Sequence, residues 1–323
     1  MNKLFSAVCM AGAFAVMFSS CNKKEDVKSF AVALPQFEET VVDGERAYLD
    51  FNDGNKFKWN ANDQIMVYNL DEENGENSVK AVYSTDASAE GQTLATFTGD
   101  DLGKKADHYF IFFPASKVSG DQLDHYNRET FNVPATQQYT LAGNSPVVDP
   151  EALTAACEVS SLTETFTLKH IFGICRVRLK GTKTVSSIVL HDNAMALSGS
   201  VSMKLHEVRM GKFTQLLDKY TLVDNELNPA FVQGWNDYRM DLGYNAVAGG
   251  NDLTLNCGDG VKLTSDFQPF YFVVRPGAFI KGFTITVNFT DGTSTILNNY
   301  ANPLTGYRMR PGVITTFSPN VNL

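Results

Sequence analysis

Residues 283–300 read FTITVNFTDGTSTILNNY. Phe283, Ile285, Val287 and Phe289 alternate with Thr284, Thr286 and Asn288, the period of a strand with one buried face. Asp291-Gly292 follows, then a second β-rich run. An Asp-Gly between two such runs signals a hairpin, because both central residues of the tight turn need positive φ. The same pattern spreads outward. NDLTLNC (251–257), Gly258-Asp259-Gly260 and VKLTSD (261–266) predict another hairpin. QIMVYNL (64–70), ATFTG (95–99), HYFIFFP (108–114), SSIVL (186–190), SGSVSMKL (198–205) and QPFYFVVRPG (268–277) predict further strands. Several are continuous apolar runs, as in strands covered on both sides.

Strands recurring at short intervals with turn chemistry between them argue for an all-β fold of sandwiches. The best helical signal is DPEALTAACEV (149–159), one or two turns with Asp149 as cap and Pro150 at the first position. Gly, Pro, Ser and Thr accumulate over residues 142–165, and the chain is too long for one ordinary sandwich. The expected architecture is two tandem sandwiches, 47–160 and 161–323. In FTLKHIFGICRVRL (166–179) the apolar residues occupy even positions first (Phe166, Leu168, Phe172, Ile174), then odd ones (Val177, Leu179). A single strand with a bulge near Gly173 is expected, with His170 packed and Arg176 and Arg178 on a wetter face.

The N-terminus has a different character. Residues 1–20, MNKLFSAVCMAGAFAVMFSS, run from an early lysine through an apolar stretch to small residues, the order of a secretory signal. The run is too short for a stable membrane span. Small-small-Cys at its end resembles a bacterial lipobox, which implies lipid on Cys21, although Phe18 stands where Leu or Val is usual. An ordinary signal cut elsewhere is the alternative. Lys23-Lys24-Glu25-Asp26 resembles the charged tract that sends lipoproteins to the surface of some Gram-negative anaerobes.

Composition excludes several classes. At 43% hydrophobic and 20% charged the 323-residue chain is globular. A net charge of −9, with no Lys/Arg cluster, argues against nucleic acid as a partner. Beyond Cys9 and Cys21, the cysteines are Cys157, Cys175 and Cys257, an odd number without zinc spacing, read as buried thiols, with one disulfide in an oxidising compartment as the alternative. No nucleophile elbow, zinc-protease motif or complete calcium loop is present, and the five histidines are scattered. The sequence therefore predicts no catalytic residues, no metal site and no cofactor. Of the two tryptophans, Trp59 stands at the start of an apolar strand and reads as core. Trp235, with Tyr238 nearby, is the candidate glycan contact if the chain is a glycan-binding surface lipoprotein.

Taken together, these pieces resemble the fimbrillin family, lipoprotein precursors of type V pilus subunits. FKWNANDQIMVY (57–68) is similar to the opening of the family's first domain, and ATFTGDDL followed by YFIFFP to its next strands. FTLKHIFGICRVRLKG (166–181) resembles the strand that opens its second domain, and SSIVLHDNAMALSG the strand and turn that follow. The resemblance implies two transthyretin-like sandwiches, a non-catalytic role, and a location on the outer membrane and then in the fimbrium. It also implies processing by a trypsin-like protease that removes an N-terminal strand, so that another pilus subunit fills the groove. Partners would be other subunits and surface glycans or proteins of host or bacteria. Within the propeptide 21–46, SFAVALPQF supplies Phe30, Val32 and Leu34 at alternate positions as the plug strand, ended by Pro35. The polar segment after it contains one basic residue, Arg46, so cleavage is expected between Arg46 and Ala47. Retention of the lipid, with Arg46 as a solvated turn residue, is the alternative.

Overall fold

The computed structural model describes residues 29–34, 38–41, 58–70, 79–100, 102, 108–118, 128–142, 145–163, 165–194, 196–204, 222–223, 226–227, 244–279, 282–297, 308–317 and 322–323. The described chain is nearly all strand. The first eight strands are β1 (Ser29–Ala33), β2 (Glu38–Val41), β3 (Gln64–Leu70), β4 (Val79–Ser84), β5 (Leu94–Gly99), β6 (His108–Phe113), β7 (Arg128–Val133) and β8 (Thr136–Gln138).

An eight-stranded sheet runs in the order Phe166–Thr167, β1, β5, β4, β3, β6, Ala155–Val159, Lys169–His170. Its first and last members are separated in sequence by Leu168 alone, so the sheet closes on itself through residues 166–170. The first half of that segment, Phe166–Thr167, pairs with β1 and the second half, Lys169–His170, with Ala155 and Ala156. Alternate side chains of a strand point to opposite faces. Phe30, Val32, Ile65, Val67, Tyr83, Phe97, Ile111 and Leu168 thus fill the interior of the closed sheet. The outward side chains of β3 and β6 (Met66, Tyr68, Phe110, Phe112) belong to a second, larger core. Phe112 meets Phe131 of β7 there, ring centroids 5.8 Å apart. Burial on both faces explains why β3 and β6 read as unbroken apolar runs.

The larger core lies mainly between two other sheets. One orders β2, Val313–Phe317, Gly173–Leu179 and Gln268–Val274; the other orders Ser294–Leu297, Phe283–Phe289, Thr184–Asp192, Asp252–Lys262 and β8. Phe283 and Phe317 meet across the gap at 4.9 Å, as expected of face-to-face sheets. The Asp-Gly hairpin forms where the alternation predicts it, with Ile285 opposite Leu297 and Gly292 at φ 81.

Four expectations are corrected. Residues 252–262 are one strand, because both halves pair with the same neighbour, Thr184–Asp192. Gly258 and Gly260, at φ 57 and 104, lie where the pairing register shifts, so they mark an irregularity within a strand and not a hairpin. FTLKHIFGICRVRL is likewise not one bulged strand. Residues 166–170 close the first sheet and 173–179 enter another, so the change of phase is a change of sheet. Arg176 is consequently buried, at 0% exposure, its Nε donating to Thr316 Oγ1 at 2.9 Å. Within 149–159, by contrast, the expected short helical turn forms, as the 3-10 turn Pro150–Ala152 capped by Asp149, and Ala155–Val159 is strand. Residues 38–41, read as part of a polar turn segment, form β2, parallel to Val313–Phe317.

Cys157, Cys175 and Cys257 are free thiols. Burial pushes Cys157 and Cys257 up to about 12 and Cys175 further, and it raises the half-buried Tyr139 to about 12. The fold holds all four groups protonated. Their contribution to stability is therefore complete below the unfolded pKa values and is lost as pH rises through the folded ones. Urea midpoints should hold up to about pH 8.5 and fall steadily between roughly pH 9 and 12. A midpoint that stays level across that window would contradict the burial of these groups.

Candidate functional site

The most distinctive feature of the closed sheet is the way β1 is built into it. β1 runs antiparallel to β5 over five residue pairs, from Ser29 opposite Thr98 to Ala33 opposite Leu94. On its other side it runs parallel to Phe166–Thr167, and Ala33 O accepts from Leu168 N at 3.0 Å. Leu34 N continues the ladder to Thr93 O, also at 3.0 Å. Phe30, Val32 and Leu34 point inward and are 6%, 0% and 6% exposed. Fully burying such side chains is worth roughly 1.5–3 kcal/mol each. β1 also precedes every other described strand, so one backbone cut after it frees it without breaking any other strand.

The slot offers three different environments. Phe30 lies opposite Phe97, with its ring 4.8 Å from Tyr83 and 5.3 Å from Phe166. Tyr83 lies over Gly99, where a Cβ would come within 2.7 Å of its ring, so the missing side chain makes room for this aromatic wall. Val32 faces small Ala95 on one side and Phe166 on the other. Leu34 closes the slot beyond the end of β1 and belongs to the same core.

Trp59 links the slot to the rest of the domain. It is fully buried, and its indole Nε1 donates to Val32 O at 3.1 Å. Its backbone is clamped by the 91–92 turn, with Trp59 N donating to Gln92 O at 2.7 Å and Gly91 N to Trp59 O at 2.9 Å. Its ring stands edge-on to Phe97 at 4.9 Å and to Phe113 at 5.0 Å. The sequence reading places Trp59 in the core correctly. It misses the bond to Val32, because no local pattern connects positions 27 residues apart.

The other predicted site residues are distributed differently. Cys21, Arg46, Ala47, Trp235 and Tyr238 lie outside the described residues, as does residue 20 with the leader before it. His170 is buried in the strand Lys169–His170, and His191 Nδ1 lies 2.6 Å from Asp252 Oδ1 on an exposed face. Among the described residues no three His, Cys, Asp or Glu side chains gather in metal-binding geometry. The chemistry this site offers is non-covalent: a main-chain ladder on both sides of a slot and apolar pockets beneath it.

No family model matches the chain, and no curated protein matches it. Solved structures similar to it include a candidate cell-adhesion protein from Bacteroides ovatus, at 10% identity and TM-score 0.46, over 91% of this chain and 94% of that one. Another is a candidate cell-adhesion protein from Bacteroides uniformis, at 14% identity and TM-score 0.43, over 92% and 94%. A tip fimbrial protein from Porphyromonas gingivalis with C-terminal truncation is similar at 9% identity and TM-score 0.40, over 90% and 94%.

Proposed function

We propose that this chain is a non-catalytic cell-surface subunit of a pilus or adhesin, exported as a lipoprotein on Cys21 and assembled by strand exchange in its closed sheet. The observation that carries the reading is β1: a separable N-terminal strand whose three inward side chains fill an apolar slot with a backbone ladder on each side. An empty slot would leave unpaired strand edges and bare core, which a strand from another subunit would cover by main-chain bonding and side-chain pockets. Cleavage between Arg46 and Ala47 by a trypsin-like protease would remove β1 and β2 together. The slot would then open, and the edge of Val313–Phe317 now paired with β2 would be bared. Two tandem sandwiches, outer-membrane anchoring before processing and a fimbrial location after it belong to the same proposal.

The test is the N-terminus of the protein on surface material from its native cell. Processing predicts a start at Ala47 in polymeric material. A lipidated Cys21 with β1 retained throughout the polymer would reject exchange at this slot.

A further inference from the structure

The strand Gln268–Val274 carries a liability on one side. Its stretch from Phe270 to Val274 is uncharged, β-rich and free of proline, the composition of a segment that pairs with copies of itself. One side is bonded to Gly173–Leu179, and on the other it is the last strand of its sheet. A bare edge of this kind is a template for another chain.

The structure closes the edge with a side chain. β8 is the last strand of the facing sheet, and between the exposed Thr136 and Gln138 it sends Gln137 inward, at 0% exposure. Gln137 Oε1 accepts from Val273 N at 2.7 Å, and Gln137 Nε2 donates to Val273 O at 2.8 Å. A residue of an antiparallel neighbour would exchange the same two bonds with Val273, so the amide stands in for one residue of a missing strand. The chain around Gln137 lies over the same edge. Tyr139 packs against Phe270, ring centroids 5.3 Å apart, and Thr140–Ala142 pairs with Ser145–Val147. Asp149 Oδ2 then accepts from Gln138 N at 2.8 Å, tying the far end of the segment back to β8.

We propose that residues 136–142 and 145–149 form a cover over the edge of Gln268–Val274, with Gln137 as its catch. The cover prevents a second copy of this chain from pairing along Phe270–Val274. The occupant kept out is a second copy because the guarded segment is self-complementary in composition. This guard is separate from the β1 slot and stands or falls without the exchange reading.

The test uses the full chain carrying Cys21→Ser as parent. Gln137→Met keeps the side-chain length and removes both bonds. Hydrogen exchange at Val273 N, read by mass spectrometry with fragmentation, should speed up about tenfold or more, the scale set by losing a buried hydrogen bond. The variant should also associate in light scattering at concentrations where Ile285→Ala stays monomeric. Ile285 is fully buried three strands from β8, so its truncation lowers stability by opening a cavity and leaves the cover in place. Unchanged exchange at Val273 overturns the catch. Association no greater than that of Ile285→Ala overturns the guard.

Gln137→Glu separates bonding from packing and decides the matter if Gln137→Met does not fold. Protonated, the introduced carboxyl keeps one donor and one acceptor and satisfies Val273 as the amide does. Ionised, it has no donor, and burial makes its charge costly. Its folded pKa is thus raised above the unfolded value of about 4.3, so stability matches the parent at about pH 4 and is lost as pH rises. Compared with the parent at the same pH, the folding equilibrium should drop by up to about tenfold per pH unit until the folded pKa is passed. A gap from the parent that is equal at about pH 4 and about pH 7 overturns the catch.

Discussion

Val32→Asp should expel β1 from the closed sheet. The substitution gives up roughly 1.5–3 kcal/mol of apolar burial and adds a desolvation cost of several kcal/mol for a carboxylate facing Phe166 and Ala95. Nothing apolar around it repays that cost. Because β1 is the first described strand, the penalty can be relieved by releasing it, at the price of exposing the slot. The expected readouts are rapid proteolysis within residues 22–57 and concentration-dependent self-association in light scattering. Ala31→Asp, one residue away on the outward face, should shift stability by no more than about 0.5 kcal/mol. The contrast between neighbours is the decisive measurement, since a strand with one buried face must discriminate by parity. Equal behaviour of the two variants would mean that β1 does not occupy this register.

The second large effect belongs to Arg176. It sits in the strand Gly173–Leu179, flanked by Val313–Phe317 and Gln268–Val274, and is wholly buried. Arg176→Ala should cost about 3–5 kcal/mol in urea unfolding, for two reasons. It opens a cavity the size of a long side chain, and it strips the Thr316 hydroxyl of the donor 2.9 Å away. Arg176→Met should recover part of the loss, because it refills most of the cavity while still leaving the Thr316 hydroxyl without its donor. If both variants lost the same stability, the guanidinium's polar contacts would outweigh its packing.

Much of the architecture is legible in local patterns. Alternation at Phe283–Phe289 with Asp291-Gly292 yields a hairpin whose register follows from turn and period together. Continuous apolar runs at 64–70 and 108–113 correctly announce strands buried on both faces. The same reading fails where partners are distant. Gly258-Asp259-Gly260 looks like a turn, yet the strand continues because the neighbour Thr184–Asp192 accepts both halves. Arg176 reads as wet because charge is usually exposed, and only the sheets around it make it interior. The four residues of β2 have too little alternation to announce a strand, and their pairing with Val313–Phe317 spans nearly the whole chain.

By itself the sequence determined the all-β class, many of the strands and the inward set Phe30, Val32 and Leu34, because side-chain alternation and turn chemistry act over a few residues. Closure of the sheet through residues 166–170, the position of β1 between β5 and that segment, and the bond from Trp59 to Val32 were decided only in three dimensions. Backbone pairing between strands carries almost no sequence code, so which strands meet is settled by how the whole chain buries its apolar faces together.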